Sequence, residues 1–272
     1  MIAYLTSNYL KVSLMNVDAA GVETPVELPR AGFWRRWLAT IIDGLIVVVP
    51  FQMLAAVLFA MTAGMIQMES GLFSTCEAGK TIPQTLDPPP PHDSNFVRVC
   101  RVSFFGATTG ATMAVGRFTR EGNATRTVSQ GYLLDKDGTP IHGVSIDWIV
   151  QLAFVIYLIA TIWKTGRTVG ARVVGVRVID TANSDAPGVP LLKAIGRYLA
   201  MIIGAVPAFA LLIFQLVTQH GIADAMFTGE FFRWFTYAGL FGCIWTIVLI
   251  AQIARKTDPI YDRLAGTAVV KV

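Results

Sequence analysis

The stretch Ala31-Gly-Phe-Trp-Arg-Arg-Trp-Leu-Ala-Thr-Ile-Ile-Asp43, with the apolar run behind it, decides the fold class of this chain. An aromatic and cationic cluster from Phe33 to Trp37 opens directly into hydrophobic sequence. One acid, Asp43, lies inside that sequence, seven residues after Arg36. At about 3.6 residues per helical turn, positions i and i+7 fall on nearly one face, so a cation at a membrane edge and an acid below it share a stripe. An ionisable group within a spanning helix costs roughly 2.5–3.5 kcal/mol on insertion scales, which calls for a partner or a function.

Composition places the whole chain in the same class. Of 272 residues, 54% are apolar and 15% charged, against about 25% charged in a soluble domain. Mean hydropathy is +0.56. The net charge of +4 is read as loop charge obeying the positive-inside rule rather than as a nucleic-acid footprint, since no basic helix run or RNA motif accompanies it. Residues 1–30 read as a cytoplasmic segment of short extended pieces (Tyr9–Leu14, Val22–Leu28), without the basic and apolar regions of a cleaved leader.

Working outward from Asp43, four spans are expected: about 37–64, 146–163, 198–217 and 234–254. Pro50 and Pro207 are read as kinks. Ala56, Ala60 and Gly64, and again Gly239 and Cys243, are spaced for close helix packing. Basic residues crowd before the first span, between the second and third, and after the fourth, whereas the Gln219–Glu230 loop holds Asp224 and Glu230 and no Lys or Arg. The charge asymmetry puts both termini inside. The expected fold is therefore an all-α transmembrane bundle of four helices, N-in and C-in, with a small β-rich periplasmic insert between helices 1 and 2. Residues 31–65 carry helix 1, 66–146 the insert, and 147–272 helices 2–4 with a cytoplasmic tail.

The insert earns its β reading from Phe96–Phe104, which alternates with period two, from Thr112–Phe118, and from the turn Asp135-Lys-Asp-Gly138 between short apolar arms. Cys76 and Cys100 both fall in this outward segment, where a disulfide would persist; they form the candidate disulfide. Cys243 lies in the fourth span and reads as a packing residue.

Other chemistries find no support. His92, His142 and His220 lack metal-ligand spacing, so no metal or cofactor is expected. Asp135-x-Asp137-Gly138 is a turn rather than a calcium loop. Asn123-Ala-Thr125 matches a glycosylation sequon by pattern alone, and Gly166–Gly170 lacks a Walker lysine. No nucleophile–base constellation is visible, so an enzyme is not expected.

Three pieces of sequence stand together. The first is Arg36 with Asp43. The second is the basic loop, with Gly166, Thr168, Gly170, Arg172, Gly175 and Arg177. The third is Asp262-Arg-Leu-Ala-Gly-Thr267. This set resembles the RDD family of integral membrane proteins, over about residues 31–65 and 147–272. Ala171 stands where that family usually has lysine, and the 66–146 insert departs from its short forms. The resemblance implies a multi-pass protein of the bacterial inner membrane, linked in some members to ion or proton-coupled transport.

Read physically, Arg36, Asp43, Arg172, Arg177, Asp262 and Arg263 form a candidate ion or ion-pair network at the cytoplasmic edge. Three roles stay open for it: pinning helix ends, a proton or cation site at Asp43 gated by Arg36, and binding of lipid headgroups. The expected function is small-ion or small-solute transport. The alternative is a non-transporting scaffold or assembly factor whose insert binds a periplasmic protein partner. Expected partners are the lipid bilayer and further copies of the chain in a homo-oligomer, with no nucleic acid.

Overall fold

The computed structural model describes residues 15–17, 23–25, 28–79, 81–83, 85–121, 124–218 and 229–272. The Tyr9–Leu14 segment, Asn123 of the sequon, His220 and residues 219–228 of the acidic loop lie outside the described residues. In chain order, a short antiparallel pair β1 (Met15–Val17) and β2 (Glu23–Pro25) precedes α1 (Phe33–Met61). There follow β3 (Ile66–Gln67), β4 (Phe73–Ala78), β5 (Phe96–Phe104), β6 (Ala107–Glu121), β7 (Ala124–Leu134), β8 (Pro140–Ile141) and β9 (Val144–Ser145). Then come α2 (Asp147–Thr165), α3 (Val169–Val173), β10 (Val176–Asp180), α4 (Leu191–Met201), a 3-10 turn Ile202–Ala205, α5 (Val206–Thr218), α6 (Gly229–Ala254), α7 (Ile260–Ala265) and β11 (Thr267–Lys271).

Among the described residues, four helices are long and apolar enough to cross a membrane: Phe33–Met61, Asp147–Thr165, Leu191–Gln215 and Gly229–Ala254. A β-sheet lies between the first two. The first helix runs through Pro50 without interruption. In the third, the break falls at the 3-10 turn rather than at Pro207, which occupies the first turn of α5, where its missing N–H has no helical partner to lose. The close-packing faces also differ from the expectation by about one residue. In the second half of α1 the buried positions are Gln52, Ala55 and Phe59, while Gly64 lies beyond the helix at φ +94°. In α6, Gly239 and Cys243 are exposed. Gly242 instead meets the Gly204 backbone, and a Cβ on Gly204 would come within 2.7 Å of the Trp245 ring.

The chain divides into two compact units, Gly44–Val155, and Met1–Asp43 with Ile156–Val272. The first is organised by the antiparallel sheet β4-β5-β6-β7-β8. Alternation along β5 to β7 turns Val97, Met113, Val115, Tyr132 and Leu134 to one face, where they form a core with Phe59 of α1. Thr112–Phe118 lies within β6, and the Asp135–Gly138 turn joins β7 to β8, with Asp135 Oδ1 accepting the N–H groups of Asp137 and Thr139. Cys76 and Cys100 are register partners on β4 and β5 and are disulfide-bonded. Buried amides complete this unit. Gln67 donates to Gly64 O at 3.0 Å and accepts the Ala111 N–H at 2.7 Å. Gln52 donates to Ser70 O at 2.7 Å, and Asp147 accepts the backbone N–H groups of Glu69 and Ser70.

The second unit is built on the antiparallel pair β10–β11, with Arg177 opposite Val270. Residues before α1 join the free edge of β11: Ala31 N donates to Val269 O at 3.0 Å, and Lys271 N to Pro29 O at 2.8 Å. Ala31, Ile162, Ala171, Val176, Val178, Val189, Ala194 and Val269 form the core. Helix α4 turns Ala194, Arg197 and Ala200 inward and leaves Leu192 and Leu199 exposed. The entry to α1, the segment after α2 and the last strand are thus held as one body.

Candidate functional site: two buried carboxylates

Asp43 is 2% exposed, and neutral groups hold it. Its Oδ1 accepts from the Tyr157 hydroxyl at 2.8 Å and from the Gly170 N–H at 2.7 Å, and its Oδ2 accepts from Thr168 Oγ1 at 2.5 Å. These donors come from α2 and from the start of α3. Thr168 is the N-cap of α3: its Oγ1 also accepts the Ala171 N–H at 3.0 Å. Tyr157 Oη accepts the Val169 N–H at 3.0 Å while donating to Asp43. The carboxylate therefore closes over the first turn of α3 together with two hydroxyls, and between them they satisfy N–H groups that the helix cannot.

This geometry explains the residue types of the basic loop. A Cβ on Gly170 would lie 2.2 Å from the Ala39 carbonyl oxygen and 3.0 Å from the Asp43 carboxyl carbon, so only glycine lets α1 and α3 approach. Gly166, at φ +65°, turns the chain out of α2 where a Cβ would meet Val178 O at 2.6 Å.

Asp262 is the second buried acid, at 0% exposure, and cations surround it. Arg36 Nη1 lies 2.9 Å from its Oδ2 and Arg197 Nη1 2.6 Å from its Oδ1. Thr267 Oγ1 donates to Oδ1 at 3.0 Å. Arg36 Nε donates to Ala31 O at 3.1 Å, and the Arg197 guanidinium sits over the Tyr261 ring at 5.3 Å. Beside this cluster, Arg30 pairs with Asp258 at 2.8 Å. Burial raises the Asp258 carboxyl above its usual range, against the pull of Arg30. Burial also raises the Tyr261 phenol, against the pull of Arg197.

Of the six residues expected to form one network, the structure brings Arg36 to Asp262 and no other cation–carboxylate pair among them. Asp43, seven residues along α1 from Arg36, takes its bonds from the loop and α2 instead. Neutral donors satisfy both of its oxygens, so it needs no guanidinium. Arg172 reaches Thr165 Oγ1 at 3.4 Å, Arg177 donates to Ala186 O, and Arg263 is exposed.

Three participants were not legible as site residues. Tyr157 reads as one more apolar-span residue, and Thr168 reads only as part of a motif. Arg197 reads as a cation at the entry of the third span, although its position two turns into a helix that places Ala194 and Ala200 on the same face signals burial. Comparison of the chain with protein-family models, with curated proteins and with solved structures returned no match.

Proposed function

We propose that this chain is a multi-pass protein of the bacterial inner membrane, of the RDD kind, with both ends cytoplasmic and the sheet in the periplasm. We infer further that it acts as a membrane-anchored scaffold rather than as a carrier working through Asp43. One observation carries this reading: the Asp43 carboxylate is buried and takes three hydrogen bonds from fixed donors, two of them tied to the start of α3. A carboxylate that loads and releases protons or cations must exchange with water, and giving up these bonds would uncap α3. Asp262, ion-paired with two arginines, is equally closed. The sheet supplies the scaffold's contact surface: β4 is an edge strand, exposed along all six residues, and an edge can accept an added strand from a partner.

A second reading, transport by an assembly of several copies, draws on the spans themselves. Only 11% of the second and of the fourth apolar window is buried within the chain. Those helices therefore have faces free for lipid or for another copy, and a pathway could run between copies.

The test is the full chain in proteoliposomes under an imposed proton or sodium gradient. The scaffold reading expects flux no greater than in empty vesicles; a flux abolished by Asp43→Asn overturns it. Labelling of Cys76 and Cys100 in intact cells by a membrane-impermeant thiol reagent, after mild reduction, tests the sidedness. Labelling only in broken cells refutes the periplasmic assignment.

A further inference from the structure

The basic loop also lines an open hollow of about 360 Å³, bounded by Lys164, Thr165, Arg167, Arg172, Arg177 and Pro187. Four of these six side chains are cationic and none is acidic. Among the described residues, none of the four forms an ion pair with a carboxylate. The same unit pairs Arg30, Arg36 and Arg197 with acids, whereas at this hollow Asp185 acts on Arg177 without forming an ion pair with it. The C-terminal end of α2 contributes roughly half a negative charge, and together with the one carboxylate of Asp185 this is too little to balance four cations. Arg177 shows this most plainly: its Nε is buried without a hydrogen-bond partner, and burial together with the Arg167 charge pulls its guanidinium below the ordinary value, against the opposite pull of Asp185. Gly166 leaves room beside it, since a Cβ there would stand 3.3 Å from that Nε.

We infer that this hollow, walled by Lys164, Arg167, Arg172 and Arg177, is a binding site for a phosphate group. Guanidinium forks present paired N–H donors that match tetrahedral oxyanions, and the Lys164 ammonium adds a point charge. The Thr165 hydroxyl, already 3.4 Å from Arg172 Nη2, lies on the same wall. The phosphate could be carried by an anionic lipid at the membrane edge or be free in solution. The inference is independent of whether the protein is a scaffold or a transporter.

The experiment titrates the full chain, in a neutral detergent, with inorganic phosphate and separately with short-chain phosphatidic acid, reading binding by calorimetry. Saturable binding of phosphatidic acid alone assigns a headgroup site; binding of both with similar affinity assigns a site for soluble phosphate. Removing two charges with Arg167→Gln and Arg172→Gln should weaken binding about thirtyfold, and Lys164→Gln alone, an exposed change, about fivefold. Arg263→Gln, an exposed cation outside the hollow, should leave it unchanged. The inference is overturned if neither probe binds the parent, or if the Lys164 and double variants bind as the parent does.

Discussion

Replacing Asp43 with asparagine tests the closed-carboxylate reading directly. The amide oxygen can keep the two donors now on Oδ1, Tyr157 Oη and Gly170 N, but without the charge. The amide N–H₂ then faces Thr168 Oγ1, turning a donor–acceptor contact into two donors. The Thr168 oxygen can turn to accept, since it has a second lone pair beside the one used by Ala171, but its own proton then loses its acceptor. A bond to a charged group contributes about 1.5–3 kcal/mol against about 1 for a neutral pair. Two weakened bonds and one lost give a cost of about 3 kcal/mol. The assay is reversible unfolding of the full chain in mixed micelles on titration with a denaturing detergent, followed by tryptophan fluorescence. Thr168→Val and the double variant complete a cycle, with an expected coupling of at least about 1 kcal/mol. A variant within about 0.5 kcal/mol of the parent, or strictly additive costs, would refute the claim that Asp43 holds α1 to α3.

Asp262→Ala should cost about 3–5 kcal/mol in the same assay, because it strands two buried guanidiniums. Adding Arg36→Met and Arg197→Met should recover part of that loss, and failure to recover any would remove the ion pairs from the account. Cys76→Ser opens a link across a sequence separation of 24 and should lower the stability of the sheet unit by about 3 kcal/mol, seen as earlier proteolytic cleavage within residues 73–104. Tyr261 gives the pH dependence. Its folded pKa is raised, so its contribution is fully present below the unfolded value of about 10 and declines as pH rises through it. Melting curves between pH 8 and 11 should therefore show an alkaline loss that Tyr261→Phe reduces. The variant gives up only a long hydrogen bond, 3.4 Å from Arg36, so a large loss at neutral pH would contradict this assignment.

The spans were legible because apolar length is a coarse and redundant signal, and the sheet because its strands alternate around a buried face. The cysteines could be paired in advance because both fall in one β-rich segment. The partner of Asp43 was not legible. Spacing on α1 points to Arg36, since both lie on one stripe, but a carboxylate is satisfied by any set of donors, and backbone N–H groups have no signature in a sequence. Arg36 found its acid at Asp262, 226 residues away. Val173–Ile179 reads as either a strand or an interfacial segment. It becomes the strand β10 because β11 is there to pair with it, while its first residue closes α3. Helix packing faces were displaced by about one residue because small residues are frequent in spans, and only the neighbour, such as Trp245 over Gly204, selects among them.

The joining of residues 29–31, β10, α7 and β11 also sets a timetable. Arg36 emerges from the ribosome long before Asp262, and Arg197 precedes it by a whole span. During synthesis both arginines lack their acid, and the edge of β10 lacks its mate. A chain halted before its fourth span would hold two unneutralised cations in an unfinished fold. Closure of this unit therefore waits for the last residues of the chain, because the mate of β10 and the acid shared by both arginines lie there.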